Sequence, residues 1–289
     1  MTGVQTCALP IFLNGQTSIF FPRNTGREAI QMYLTAFISK AAGTGISFMS
    51  LKLGTALAGF LTLPFIYLVA KEIGGKRLGV IAFFLAAIAY WPNVISRVGL
   101  RFPLYPLFVA PMMYFLVKGL KNKDRNQFIW AGLALGLGLP GYIPIRIVPF
   151  VVVILLAVFL LFPAAKGKRQ QVLLSLIILA VVSFVLFIPL LRYTLEDPQM
   201  FAYRAFTRLG TTERDFPGSP VTIFFQNLWK SLVMFFYKNG NIWVHSVTDR
   251  PALDVVSAVF LLFGGLICLW RAIRQRSWVD AILLLSVPL

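Results

Sequence analysis

A chain of 289 residues with 58% hydrophobic and 13% charged side chains and a mean hydropathy of +0.79 carries more apolar surface than one water-soluble core can enclose. The formal charge of +17 is spread in short runs between apolar stretches, whereas a nucleic-acid binder gathers its charge on one soluble face, so nucleic acid is excluded as a partner. Composition points to an all-α, polytopic transmembrane helix bundle.

In chain order, residues 2–11 read TGVQTCALPI and look like a translated sequencing-library adapter, so residues 1–11 are set aside from fold reasoning. Residues 12–46 form an outer, interfacial segment, an arrangement that calls for a further span upstream. Within it, Asn24, Thr25 and Gly26 precede a stretch from Arg27 to Ala42 in which Ile30, Tyr33, Leu34, Phe37 and Ile38 fall at helical spacing, predicting an amphipathic helix at the membrane surface. Apolar runs predict seven spans near 47–70, 78–96, 103–118, 126–142, 147–163, 172–191 and 253–270, with an eighth opening at Trp278 and continuing past Leu289. Gly132 and Gly136 form a GxxxG pair of the helix-packing kind. The outer loop 192–251 is too long for a turn. Inside it, Ser219 and Pro220 open a second interfacial helix with Gln226, Asn227, Lys230 and Ser231 on one polar face.

Charge sets the orientation. Connections holding Lys71, Lys76 and Arg77, then Lys118, Lys121, Lys123 and Arg125, then Lys166, Lys168 and Arg169, then Arg271, Arg274 and Arg276 fall at every second position. The positive-inside rule makes these cytoplasmic, and the expected location is a multi-pass protein of the plasma (inner) membrane. Glu28, Glu196, Asp197, Glu213, Asp215, Asp249 and Asp254 then lie outside, against Glu72, Asp124 and Asp280 inside, so the outer face is the working face. With Cys7 in the excluded segment and Cys268 inside a span there is no disulfide framework. His245, the single histidine, has no cysteine or acid at zinc-like spacing.

GREAIQMYLTAFISKAAG at 26–43, followed by SLKLGTALAGFLTLPFIYLVAKEIGGKRLG from Ser50, resembles the first outer loop and second span of GT-C superfamily glycosyltransferases. Their relatives include protein O-mannosyltransferases and the aminoarabinose transferases that modify lipid A. The pattern continues in SRVGLR at 96–101, AGLALGLGLPGYIPIRIVP at 131–149 and, more loosely, DRPALD at 249–254. Lys52, where relatives commonly carry Arg, and Pro140, where a Tyr-containing turn is usual, depart from it. The resemblance implies a polyprenyl-phosphate-linked sugar as donor, an acceptor lipid, glycan or protein on the outer face, and surrounding membrane lipids as partners. It also implies a catalytic acid or base in the first outer loop, at a point before this sequence begins; Glu28 is not put in its place. A transporter or flippase of lipid-linked sugars and a non-catalytic scaffold are the rival readings. Inverted repeats would favour transport, and no internal repeat stands out.

Glycosyl transfer from a lipid phosphate needs cations where the phosphate leaves, and Arg offers planar paired donors at any working pH. Arg97 and Arg101, on one tight outer connection, are candidates for donor phosphate or for snorkelling to headgroups. Arg146, among Pro144, Ile145, Ile147 and Val148, is too costly at membrane depth to lack a partner, whether carrier phosphate or a helix-end carbonyl. Arg27 is a further phosphate candidate, and Glu28, Tyr142 and Asp249 are candidate acceptor or metal contacts. The alternatives are a solvated helix start for Arg27 and Glu28, and a helix start with proline in its first turn for Asp249, Arg250 and Pro251. A Mg2+ or Mn2+ ion would need further carboxylates from upstream.

Overall fold

The computed structural model describes Gly15 and residues 18–21, 27–198, 218–240 and 247–286. The predicted adapter segment, the Asn24–Gly26 helix start, Glu213, Asp215 and His245 lie outside the described residues, as does the side chain of Arg27. A short antiparallel pair, β1 (Phe20–Phe21) and β2 (Arg27–Glu28), leads into α1 (Ile30–Ala41), with Phe20 opposite Glu28. The helix therefore starts three residues later than the sequence predicts, because Arg27 and Glu28 are drawn into the strand pair.

Helix α1 turns its polar stripe toward the protein and its apolar stripe outward, as suits a helix at the membrane surface. Gln31, Met32, Thr35, Ala36 and Ser39 pack inward, while Phe37 is exposed and Ile30, Tyr33, Leu34 and Ile38 are half-buried. Each inward polar side chain has a partner: Gln31 Nε2 donates to the Gly99 carbonyl (2.8 Å), the Thr35 hydroxyl to the Gln31 carbonyl (2.8 Å) and the Ser39 hydroxyl to the Gly45 carbonyl (2.7 Å). In lipid an outward apolar stripe costs nothing, whereas unsatisfied polar groups are expensive, so the polar stripe turns in.

Helix α2 (Phe48–Ile88) is a hairpin of two arms. Gly74 and Gly75 leave the helical region, Gly75 at φ 84°, where a side chain would be strained. Beyond them Gly79 approaches so closely that a Cβ there would lie 3.0 Å from the Tyr67 carbonyl oxygen. The second arm stops at Ala89, and α3 (Tyr90–Arg97) resumes in a new direction, so the predicted span 78–96 is broken. Pro92 is the cause: it has no N–H for the Ile88 carbonyl, and its ring would strike that group in a continuous helix. Asn93 Nδ2 satisfies the carbonyls of Ala87 (2.8 Å) and Ala89 (2.9 Å) at the break.

Helix α4 (Leu104–Asn122) ends on left-handed Lys123, and Asp124 caps α5 (Arg125–Gly138) by accepting from the Asn126 N–H at 3.0 Å. A 3-10 turn, Ile143–Ile147, feeds α6 (Val148–Leu160), so the predicted span 126–142 ends earlier, at Gly138. Then follow α7 (Arg169–Glu196), α8 (Pro220–Val233), α9 (Val255–Arg274) and α10 (Trp278–Ser286). Met112, Leu116, Phe128, Leu135, Ile145, Leu155 and Leu156 fill the core between α4, α5 and α6. The GxxxG pair packs α5 on α7 as predicted: a Cβ on Gly132 would lie 2.9 Å from the Leu179 carbonyl oxygen, and one on Gly136 2.9 Å from the Ser183 Cα.

Among the described residues, four stretches are by themselves long and apolar enough to cross a membrane: Phe48–Ile88, Ile143–Leu160, Arg169–Glu196 and Val255–Arg274. Helix α9 has no buried residue, and α7 exposes Leu173, Ile177, Val181, Phe184, Val185 and Ile188, surfaces suited to lipid. Helix α8, which also buries none of its residues, starts at Ser219 and Pro220 as predicted. Helix α9 instead starts from Asp254, whose carboxylate accepts from the Ser257 N–H (3.0 Å), so Asp249 does not open it.

The four basic connections gather at one end of the bundle. Lys121 donates to the Glu72 carbonyl, Gln171 Nε2 donates to the Lys123 carbonyl at 3.2 Å, Trp278 stacks edge-on against Phe159 at 4.9 Å, and Arg271 pairs with buried Asp280 at 3.3 Å. The outer-loop candidates Glu28, Arg101 and Arg146 come together away from that end.

Candidate functional site

Glu28, at the end of β2, is fully buried, in contrast to the solvated helix start that the sequence allows. At that burial an ionised carboxylate requires cationic partners. It has two. Oε2 accepts from Arg101 Nη1, and Oε1 accepts from Arg146 Nη2 at 2.8 Å. Arg101 is 4% exposed and sits in the bend between α3 and α4, whose path is fixed by the Gln31 bond to the Gly99 carbonyl. Arg146 stands on the 3-10 turn that Pro144 opens between α5 and α6. Glu28 supplies a partner that offsets its cost at membrane depth.

Tyr142 completes the cluster, with the Arg101 guanidinium 5.7 Å from its ring centroid and the edge of Phe102 against it at 6.0 Å. Arg97 is exposed on the last turn of α3, where it meets the negative end of the helix dipole. Asp249 is exposed, adopts φ 60° and pairs with Lys238 at 3.2 Å. That contact raises the Lys238 ammonium above its usual range, chiefly through the hydrogen bond to Asp249. Of the residues that sequence singles out, the structure brings Glu28, Arg101, Arg146 and Tyr142 together and leaves Arg97 and Asp249 apart from them.

Beside the cluster lies an apolar cavity of about 690 Å³. Its walls include Thr62 on the first arm of α2, Trp91 and Ser96 on α3, Tyr105 on α4, and Phe102, Tyr142, Pro144 and Ile147, which flank the two arginines in sequence. Sequence reasoning missed this cavity and its aromatic walls; the signal was Pro92, a helix breaker inside an apolar run. It also missed the pairing itself, although Glu28 is the single acid among residues 12–71.

Each oxygen of Glu28, a candidate Mg2+ or Mn2+ contact, accepts from a guanidinium group. Among the described residues there is no group of three or more His, Cys, Asp or Glu that would hold a metal ion.

Fold and site together define a polytopic helical membrane protein with a buried carboxylate–arginine cluster at the edge of an apolar cavity. The sequence pattern of the dolichyl-phosphate-mannose-protein mannosyltransferase family matches residues 30–193, more than half of the chain, and the chain belongs to that family. No curated protein matches it in sequence. Among solved structures it is similar to the oligosaccharyltransferase AglB of the archaeon Archaeoglobus fulgidus in complex with an inhibitory peptide and a dolichol-phosphate, at TM-score 0.59 and 16% identity over 97% of this chain and 42% of that one. The Archaeoglobus fulgidus oligosaccharyltransferase with Zn and sulfate superposes at TM-score 0.61 and 16% identity, over 98% of this chain and 40% of its own. These likenesses establish the fold, and the chain spans less than half the length of the proteins it superposes on.

Proposed function

We propose that this protein is a plasma-membrane glycosyltransferase that moves a sugar from a polyprenyl-phosphate-linked donor to an acceptor lipid, glycan or protein on the outer face. The observation that carries this reading is the pair of arginines held on Glu28, with their chain neighbours Phe102, Tyr142, Pro144 and Ile147 lining the apolar cavity. A polyprenyl phosphate is an anion on an apolar chain, and the two parts of the site match its two parts. A cavity of about 690 Å³ falls within the usual range of about 300–1,000 Å³ for ligand pockets. Membership of a mannosyltransferase family and the dolichol-phosphate in the archaeal oligosaccharyltransferase support the same donor class and favour transfer over transport.

In the reaction the acceptor hydroxyl gives its proton to the catalytic base that the family resemblance implies in the first outer loop and attacks the anomeric carbon, the bond from that carbon to the phosphate oxygen breaks, and the carrier leaves as a phosphomonoester with the electron pair. Arg101 and Arg146 stabilise the charge that develops on the leaving oxygen. Glu28, engaged at both oxygens, orients the arginines and is not the base that takes the acceptor proton. The outer face is assigned from the side opposite the four basic connections.

Replacing Arg146 with Ala in the full-length enzyme tests the reading. Loss of one charge-assisted contact in a dry site, about 1.5–3 kcal/mol, lowers transfer about tenfold to a hundredfold, with Lys rescuing only in part. A well-folded Arg146→Ala enzyme with full activity and unchanged donor affinity would make this arginine structural and move the phosphate site elsewhere.

A further inference from the structure

We infer that Glu28 sets the charge of the carrier site so that it retains the donor and releases the spent carrier, an inference that rests on the carrier-phosphate reading above. Among the described side chains the cluster holds one carboxylate and two guanidinium groups, a net charge of one positive unit. The donor is a phosphodiester with one negative charge, so it and these three side chains neutralise one another. Transfer breaks the sugar–phosphate bond and leaves a phosphomonoester, whose second ionisation near pH 6 gives it a charge of about −1.5 to −2 at neutral pH. The product is then more negative than the site can neutralise. Because the penalty for leaving water grows with the square of the ligand charge while attraction to the site grows linearly, the surplus charge favours departure.

Burial gives this arrangement its force. Glu28 is fully buried and Arg101 nearly so, so water does little to screen either charge from a neighbouring phosphate. Tyr142, with one face near Arg101 and its side chain on the cavity wall, links the cluster to the space where the carrier would lie. A carboxylate at this position weakens the hold of both arginines on any anion, which a site built only for tight binding would avoid. Two guanidinium groups without it would hold the monoester most firmly of all, and turnover would stall on the product.

The test compares binding of a polyprenyl phosphate and of its methyl phosphodiester to the full chain in lipid nanodiscs at neutral pH. In Glu28→Gln the diester binds about tenfold tighter and the monoester about a hundredfold tighter than in the wild type, since the gain scales with ligand charge, and monoester preference rises about tenfold. The double variant Glu28→Gln/Arg146→Met restores one net positive charge and returns the preference to within about threefold of the wild type. Should Glu28→Gln alone fail to fold, the same unit of charge is read between Arg146→Met and the double variant, where monoester preference again rises about tenfold. If Glu28 is merely structural, both affinities fall together and their ratio stays put, and the inference is overturned while the carrier reading stands. A wild type that binds neither lipid overturns both.

Discussion

Replacing Gly132 with Ala sets two effects of known sign against each other. Removing a glycine from the middle of α5 favours the helix by roughly 0.5–1 kcal/mol. Against this, the new Cβ would sit 2.9 Å from the Leu179 carbonyl oxygen and 2.9 Å from Val182 Cβ, both on α7, and the first of these is backbone that cannot rotate aside. Forcing α5 and α7 apart costs about 1–3 kcal/mol by overpacking. The separation also strains the 3.1 Å bond from the Ser183 hydroxyl to the Gly132 carbonyl, worth about 0.5–1.5 kcal/mol. The balance is a loss of about 2 kcal/mol. Gly264 is the control: a Cβ there meets nothing within 4 Å, so Gly264→Ala keeps the helix gain alone. Tryptophan fluorescence of the purified protein titrated from mild detergent into SDS reads both. A Gly132→Ala protein as stable as the Gly264→Ala protein would show that α5 and α7 are not in contact at the GxxxG pair.

Topology is checked with single cysteines and a membrane-impermeant maleimide on intact cells: Lys121→Cys and Lys168→Cys stay unlabelled while Glu196→Cys reacts, and labelling at Lys121 from outside reverses the orientation. Asp254 supplies a pH test. Its carboxyl is held below the usual carboxylate range by the backbone N–H of Ser257 first and the Ser257 hydroxyl second. An acid with a depressed folded pKa stabilises above the unfolded value of about 3.9 and loses that contribution as pH falls through the folded value. The stability gap between wild type and Asp254→Ala is therefore constant from neutral pH down to about pH 5 and closes in stronger acid; a gap that widens in acid contradicts the cap.

Helices were legible from sequence wherever one long apolar run met a polar stop. Phe48, Arg169 and Pro220 open helices close to where the runs predict, and the basic connections identify one end of the bundle. Buried faces were not legible. Helical spacing marks the apolar stripe of α1, but which polar side chains pack inward, Gln31, Thr35 and Ser39, follows only from the contacts they make. Arg146 announced itself because a cation at that depth demands a partner, yet the partner lies 118 positions away in sequence. Arg27 and Glu28 looked like a helix start because the sequence alone does not reveal that Phe20 and Phe21 return to pair with them. Helical spacing carries no information about which remote acid a cation will find.

The break between α2 and α3 bears on how anything enters the cavity. Asn93 holds the carbonyls of Ala87 and Ala89, and Trp91, Pro92 and Ser96 stand just beyond the bend on the cavity wall. With the carbonyls of Ala87 and Ala89 already held by Asn93, this stretch of wall is broken helix before any lipid of the proposed class would enter. The entropy lost on entry then falls on the lipid alone, since this wall is ordered during folding. If the proposed carrier lipid enters beside this break, it would thread a preformed sleeve, and its own straightening would set the rate.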